Sequence, residues 1–310
     1  MKILLVNVDS TIPNLALEKI RIYHQRKNDE VTMIHDVKAT GLPMFTQKAD
    51  KIYVSCIFDY NKHYCTKWEK LPNTKIGGSG YSLDIKLPDS IENIKPHMNF
   101  GFTTRGCIRN CYFCIVQRKE GGMKIVGDVY DLWDGKSKEV LIMDNNTLAL
   151  PDHFFKIAEQ IKKENLRVDF NQGLDFRLLT PEICKMLVSL KTIKGYHRFS
   201  FDDIKYKKGV LKALKMLKDN GNKKQRTRWY VYVGTKDTEE TVIERLQIIK
   251  DAEQLPYLML DHQVVKNEKF QWIKKWSNSP AQFVSIEYKD FENNNTRLAR
   301  LRDEKRTHLI

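Results

Sequence analysis

Three cysteines within eight positions, Cys107, Cys111 and Cys114, are the residues of this chain best suited to chemistry. They sit in the string Thr104-Arg105-Gly106-Cys107-Ile108-Arg109-Asn110-Cys111-Tyr112-Phe113-Cys114. Thiolates four and three residues apart can converge on one metal centre from a single loop. A structural zinc site normally closes with four ligands, and no second Cys-x-x-Cys or His-x-x-x-His completes one here. An iron–sulfur cluster held by three cysteines instead keeps one iron open for a further ligand. The other cysteines, Cys56, Cys65 and Cys184, are scattered, and six in 310 residues are too few for a disulfide scaffold. With no export signal in view, this usage points to a reducing cytoplasm and a metal site.

The loop needs elements to position it, and the hydrophobic pattern supplies them. Residues 1–95 open on Ile3-Leu4-Leu5-Val6, a continuous apolar run suited to a buried parallel strand. A helical stretch with Leu15, Leu17, Ile20 and Ile22 follows, then strands at Glu30–His35 and Ile52–Phe58 and a turn at Gly77–Gly80. This alternation predicts a small doubly wound α/β domain. From about residue 96 the alternation restarts, with strands at Asn99–Thr103, Val140–Met143, Leu166–Phe170, Tyr196–Phe201, Trp229–Gly234 and Tyr257–Leu260. Thr180-Pro181 opens one intervening helix, Asn220-Gly221 closes another, and Asp237 with Glu240 forms a capping box for a third. Six such repeats predict a partial α/β barrel, whose chemistry lies at the C-terminal ends of its strands. Residues 266–310 read as an irregular, basic C-terminal extension. No apolar run approaches the ~20 residues of a membrane span.

The C-x3-C-x2-C spacing, with aromatic Phe113 just before the last cysteine, resembles the radical S-adenosylmethionine (SAM) superfamily over residues 96–265. The resemblance implies a Rossmann-like N-terminal domain (1–95) ahead of a partial (βα)6 radical SAM barrel. Cys107, Cys111 and Cys114 would bind three irons of a 4Fe–4S cluster, with SAM on the fourth. Reductive cleavage of SAM would give a 5′-deoxyadenosyl radical acting on a substrate that the sequence does not name. A reducing electron donor of the flavodoxin or ferredoxin type is implied as partner.

For the SAM contacts the match is by position. Where the family often carries Gly-Gly-Glu after its second strand, this chain has Asp144-Asn145-Asn146, which still offers side-chain acceptors. Asn171, Gln172 and Asp175 could bind ribose hydroxyls. Arg177, Arg198 and Ser200 could engage the SAM carboxylate through charge-assisted hydrogen bonds. Phe113, Asp144 and Asn145 complete the cofactor-binding set, and helix capping and turn chemistry are its competing reading.

The N-terminal segment looks like the cobalamin-binding domain that precedes many radical SAM domains. The Asp-x-His-x-x-Gly signature is absent, however, and residues 35–41 carry those residue types in the wrong order. Its loss weakens the case for cobalamin. Methylthiotransferases need three further cysteines there, against the Cys56 and Cys65 present. The enzyme alternative is a cobalamin-dependent radical SAM methyltransferase. The alternative of another class is a non-catalytic, metal-containing nucleic-acid-binding protein.

Charge bears on that last reading. The chain carries 53 Lys and Arg against 39 Asp and Glu, net +14. Residues 185–230 hold 14 Lys and Arg against 3 Asp and Glu, net +11. The stretch Lys205–Arg228 interleaves cations with aromatics, which suits phosphate contact and base stacking. The alternative is a solvated helix face, since Lys212, Lys215 and Lys218 occupy the polar positions of an amphipathic helix.

Overall fold

A computed structural model describes residues 1–35, 41, 42, 46 and 48–295. The chain divides into two units, residues 1–137 and 138–310. The division thus falls after the cysteine loop, where the sequence suggests a boundary at 95/96. Local bonding explains the difference. Asn99 donates its backbone N–H to Leu132 O at 2.8 Å and its side chain to Asp134 at 2.9 Å. Glu92 meets both Lys19 and Arg105. The first pair of bonds holds 96–137 together, and Glu92 ties the base of the cysteine loop to α1 of the N-terminal sheet.

The first unit is built on β1 (Lys2–Asn7), α1 (Leu15–Gln25), β2 (Glu30–His35), β3 (Lys51–Ser55), α2 (Thr66–Glu69), β4 (Thr74–Gly77) and α3 (Asp89–Glu92). The strands are all parallel and lie in the order β2-β1-β3-β4, so the winding reverses between β1 and β3. The unbroken apolar run of β1 is explained by cover on both faces. Leu4 and Val6 pack with Ile52, Val54 and Trp68, while Ile3 and Leu5 pack with Leu17, Ile20 and Ile91. Asn14 caps α1 by accepting from Leu17 N at 3.2 Å. Strand β4 was not foreseen from the sequence; it lies at the sheet's edge and Ile76 is its one strongly apolar residue. Five short elements complete the unit: β5 (Phe100–Gly101), β6 (Thr104–Arg105), α4 (Val116–Glu120), β7 (Lys124–Ile125) and α5 (Val129–Leu132). The strand expected at Asn99–Thr103 is thus only the two residues of β5.

The second unit alternates strictly: β8 (Glu139–Ile142), α6 (Pro151–Lys163), β9 (Arg167–Phe170), α7 (Pro181–Ser189), β10 (His197–Ser200), α8 (Lys207–Asp219), β11 (Thr227–Val233), α9 (Glu239–Asp251) and β12 (Leu255–Leu260). β8 pairs with β9, and β10 with β11 and β11 with β12, all in parallel. Parallel bridges at Val168–Thr192 and Leu174–Phe199 carry the order from β9 to β10. These five strands therefore lie side by side in chain order.

Thr180 accepts from Ile183 N and caps α7 as expected. One sequence expectation here is corrected. The box on α9 is formed by Thr238 and Thr241, because Asp237 is engaged elsewhere, by Arg245 and Gly234 N. In α8 Val210, Ala213, Leu214 and Leu217 are buried and Leu211 is exposed. Residues beyond 265 are also more ordered than the expected irregular extension. α10 (Glu268–Ser277), α11 (Pro280–Ser285) and a helical stretch at 288–295 bury Phe270, Ile273, Trp276, Phe283 and Phe291. Asn278 clamps Leu258 of β12 by accepting from its N–H and donating to its carbonyl. Residues 296–310 lie outside the described residues. Among the described residues no helix is long and apolar enough to cross a membrane.

His197 in β10 is buried with Nε2 2.7 Å from Leu187 O, and burial pushes its imidazole down to about 4. The unfolded chain, titrating near its ordinary value, binds the extra proton between about pH 6.5 and 4. Stability is therefore lost as pH falls through that window, by up to ~3 kcal/mol. Asp202, pushed up to about 6 by burial, contributes with opposite sign, losing stability as pH rises. The test is a comparison of His197→Gln with the parent by urea unfolding between pH 7 and 4.5. The variant should lose less stability on acidification, and parallel pH profiles would refute the assignment.

Candidate functional site

The cysteine loop is closed at its base by an antiparallel ladder in which Thr104 pairs with Ile125 and Arg105 with Lys124. Gly106 follows with φ +89°, and a Cβ there would lie 2.1 Å from Gly122 O. Only glycine allows this approach of two backbone segments. Across the neck Cys107 N donates to Gly121 O at 3.2 Å, and Gln117 Nε2 donates to Cys107 O at 2.6 Å. Cys114 N bonds Cys111 O at 3.0 Å, which tightens the second half of the motif.

Arg105 grips Glu120 with both Nε and Nη2, and its guanidinium lies 4.4 Å from the Phe102 ring centre. Burial would raise the Glu120 carboxyl, but the Arg105 fork outweighs it and holds that group below its usual value.

All three cysteines are half-buried, and no disulfide joins any of the chain's six. Arg109 N points at Cys107 Sγ from 3.3 Å. An amide aimed at sulfur stabilises a thiolate and is the kind of outer contact that tunes a thiolate-bound centre. Phe113 stands edge-on to Tyr112 at 5.2 Å, and Ile108 and Tyr112 are exposed on the loop. Among the described residues no group of three or more His, Cys, Asp or Glu stands in a metal-holding arrangement. The fit of this loop to a metal group therefore rests on its donor set: three thiols on one closed loop, with an amide trained on one of them.

Cys56, Cys65 and Cys184 are different. All are fully buried, burial pushes the Cys56 and Cys65 thiols up, and Cys184 rises to about 11. Such thiols are core residues and poor ligands.

The strand-end residues belong to the second unit. Asp144 and Asn146 are buried just after β8, with Asn145 half-buried between them. Asn146 Nδ2 reaches Asp175 Oδ2 at 3.5 Å. Asp175 in turn binds Arg177 through Nε at 2.6 Å and Nη2 at 3.1 Å, and caps the short turn at Phe176–Leu178. Asn171 and Gln172 turn their amides toward Met143 Sδ, and Tyr230 donates its hydroxyl to Asn171 O at 3.1 Å. Arg198 is ion-paired with Asp169, both buried. Ser200 is half-buried opposite Tyr230. The structure thus joins Asn146, Asp175 and Arg177 into one chain of bonds and Asn171 to Tyr230. It also gives both arginines expected to meet a carboxylate an internal carboxylate.

Sequence reasoning missed Asp202, which follows β10 and accepts from Tyr232 N at 3.2 Å. The adjacent acids Asp202-Asp203 at a strand end were the available signal. In the first unit, Asp9 lies at the strand reversal and accepts from Ile57 N and Phe58 N, both at 2.8 Å. Of the stretch compared with a cobalamin signature, residues 36–40 lie outside the described residues.

The basic segment is less bare than its composition suggests. Lys205 pairs with Asp203, Lys207 with Glu244, Lys215 with Asp219 and Lys224 with Glu253. Each surface pair contributes little stability, but each also cancels a charge that a polyanion would meet.

A scan against protein-family models finds no match to this chain, and a search of curated proteins finds none either.

Gly106→Ala tests the loop's construction. A side chain at positive φ costs ~1–2 kcal/mol, and the overlap with Gly122 adds to it. Gly135, with φ +77° and open space around it, provides a control substitution. The Gly106 variant should unfold at lower urea than Gly135→Ala and exchange its Cys107 amide faster. Equal behaviour of the two would show that the neck is loose.

Proposed function

We propose that this protein is a radical SAM enzyme, with a partial βα barrel following a Rossmann-like N-terminal domain. The observation that carries the reading is the closed loop presenting Cys107, Cys111 and Cys114 in the C-x3-C-x2-C spacing, with the Arg109 amide directed at one sulfur. Parallel strands β8 to β12 in chain order, with polar residues at their C-terminal ends, agree with a barrel that binds at that end. A 4Fe–4S cluster with SAM, when bound, supplies reductive cleavage of the sulfonium to a 5′-deoxyadenosyl radical.

The chain's own residues have simpler tasks. The three thiolates hold the metal group while the Gly106 neck fixes their loop. Asp144 offers a carboxylate to the SAM ammonium, and Asn171 and Gln172 offer amides to its ribose. Asp175, already bonded to Arg177, keeps that guanidinium in place rather than binding the cofactor itself. A reducing partner of the flavodoxin or ferredoxin type is required. The cobalamin-dependent alternative is disfavoured by the missing Asp-x-His-x-x-Gly signature.

Anaerobically reconstituted protein should carry about four irons and four sulfides and release 5′-deoxyadenosine from SAM when reduced with dithionite. Replacing Cys107, Cys111 and Cys114 together by Ala should abolish both. One zinc per chain, or cleavage surviving in the triple variant, would overturn the reading.

Asp144→Asn preserves shape and removes charge. It should keep the cluster and weaken SAM binding ~10- to 150-fold, the loss of one charge-assisted hydrogen bond. Calorimetry showing unchanged affinity would assign Asp144 to the turn after β8 alone.

A further inference from the structure

Strands β10 to β12 have two unlike faces. On one, His197, Phe199, Thr227, Trp229, Val231 and Leu258 are buried as core. On the other, register sets Arg198 beside Arg228 and Tyr230 beside Tyr257. This second face keeps its polar groups. The Arg228 guanidinium lies 5.5 Å from the Tyr196 ring centre and 5.2 Å from that of Tyr257, and it bonds the Tyr196 hydroxyl and Pro256 O. Tyr230 meets Tyr257 edge to face at 5.8 Å, and Tyr257 is 41% exposed.

A face serving only as packing would be mainly apolar, with its few polar groups buried, as on its reverse. Here flat rings alternate with guanidinium planes, and Asp169, paired with Arg198, neutralises only one of the two arginines. Arg226 is exposed at the start of β11, bonded to Gly195 O, and extends the positive charge along the strand. We infer that the Tyr196–Arg228–Tyr257–Tyr230 face of β10–β12 binds single-stranded nucleic acid, with bases stacking on the tyrosines and the backbone meeting Arg226 and Arg228. Aromatic rings with interleaved arginine suit base faces and phosphates together, whereas α8 and the following turn offer lysines without rings, three of them, Lys207, Lys215 and Lys224, already paired with Glu244, Asp219 and Glu253. The inference is independent of the cysteine loop, because binding rather than turnover is measured.

The test uses the full-length chain and a fluorescein-labelled ~12-nucleotide oligouridylate, followed by anisotropy. Binding should weaken steeply with salt as phosphate counterions are released. Tyr257→Ala should weaken binding ~5- to 150-fold, the loss of one stacked base, in protein that circular dichroism shows to be folded at the assay temperature. Tyr257→Phe keeps the ring and should bind like the parent. Joint replacement of Lys207, Lys208, Lys223 and Lys224 by Ala should leave the Tyr257 dependence in place. The inference is overturned if the parent fails to bind the oligomer, if Tyr257→Ala binds as the parent does, or if only the lysine variant loses binding. Competition by uridine monophosphate as effective as by the oligomer would also overturn it, by showing a mononucleotide site. None of these outcomes touches SAM cleavage, so failure here is distinguishable from failure of the enzyme reading.

Discussion

The guanidinium of Arg245 is completely buried, and the C-terminal edge of the second unit is organised around it. It donates to Phe201 O at 3.2 Å, Tyr232 O at 2.9 Å and Thr241 O at 3.3 Å, and its Nη2 meets Asp237 Oδ1 at 2.6 Å. Burying such a charge is costly, and a pair in the interior returns that cost only when its remaining hydrogen bonds are satisfied. Here they are satisfied by carbonyls at the ends of two adjacent strands. The pair therefore specifies geometry more than it adds stability. Asp237 also accepts from Gly234 N, which sets the turn from β11 into α9. Burial still pushes the Asp237 carboxyl up despite its arginine, a sign of how dry the site is. The positions of Asp202 and Tyr232, bonded to each other at the same edge, follow from this brace.

With the strand ends fixed, the alternation of β11 decides what each face can do. Trp229 stacks on Phe199 at 5.1 Å and donates its indole N–H to Thr227 Oγ1, while Thr227 is held through both its N–H and its hydroxyl by Gln254. Polar atoms on the core side are thus satisfied within the fold, and that side has no capacity left for a ligand. The intervening residues Arg228, Tyr230 and Tyr232 must point the other way. Their polar tips remain partly exposed because the strand has already assigned its apolar residues to the core.

The order of elements was legible because the strands of both units carry compact apolar runs between clear turn signals. Glu30–His35 was read to the residue, and the strands of the second unit to within two. What escaped depended on contacts distant in sequence. Thr74–Gly77 has too little hydrophobicity to announce a strand and exists because β3 offers it a ladder. Asp237 looked like a helix cap until Arg245, eight residues on, took its carboxylate. The aromatic residues after 265 had no visible period, yet Trp276 and Phe283 pack with their ring centres 4.9 Å apart once Asn278 has clamped β12. For the candidate site, the cysteine spacing was local and readable. The carboxylate that occupies Arg198 was not, because Asp169 reaches it only through the pairing of neighbouring strands, while Asp175, two residues from Arg177, was read as a cofactor ligand.

The same reasoning gives the N-terminal sheet a definite role. In an open parallel sheet the crevice at the strand reversal is where ligands are received, usually by backbone amides. Here Asp9 has its carboxylate on the Ile57 and Phe58 amides and accepts from Asn61 Nδ2 at 3.2 Å. Gly78 closes so tightly on Cys56 that a Cβ would lie 2.2 Å from its carbonyl oxygen. An anionic ligand would have to displace a carboxylate tethered at very high local concentration. The sheet therefore acts through what it supports. Lys19 of α1 bonds Glu92 of α3, Glu92 lies 3.9 Å from Arg105 of β6, and Arg105 holds Glu120 of α4. This relay of alternating charges runs from the core helix of the sheet to both ends of the cysteine loop. It couples the rigidity of a buried parallel sheet to the segment that carries Cys107, Cys111 and Cys114.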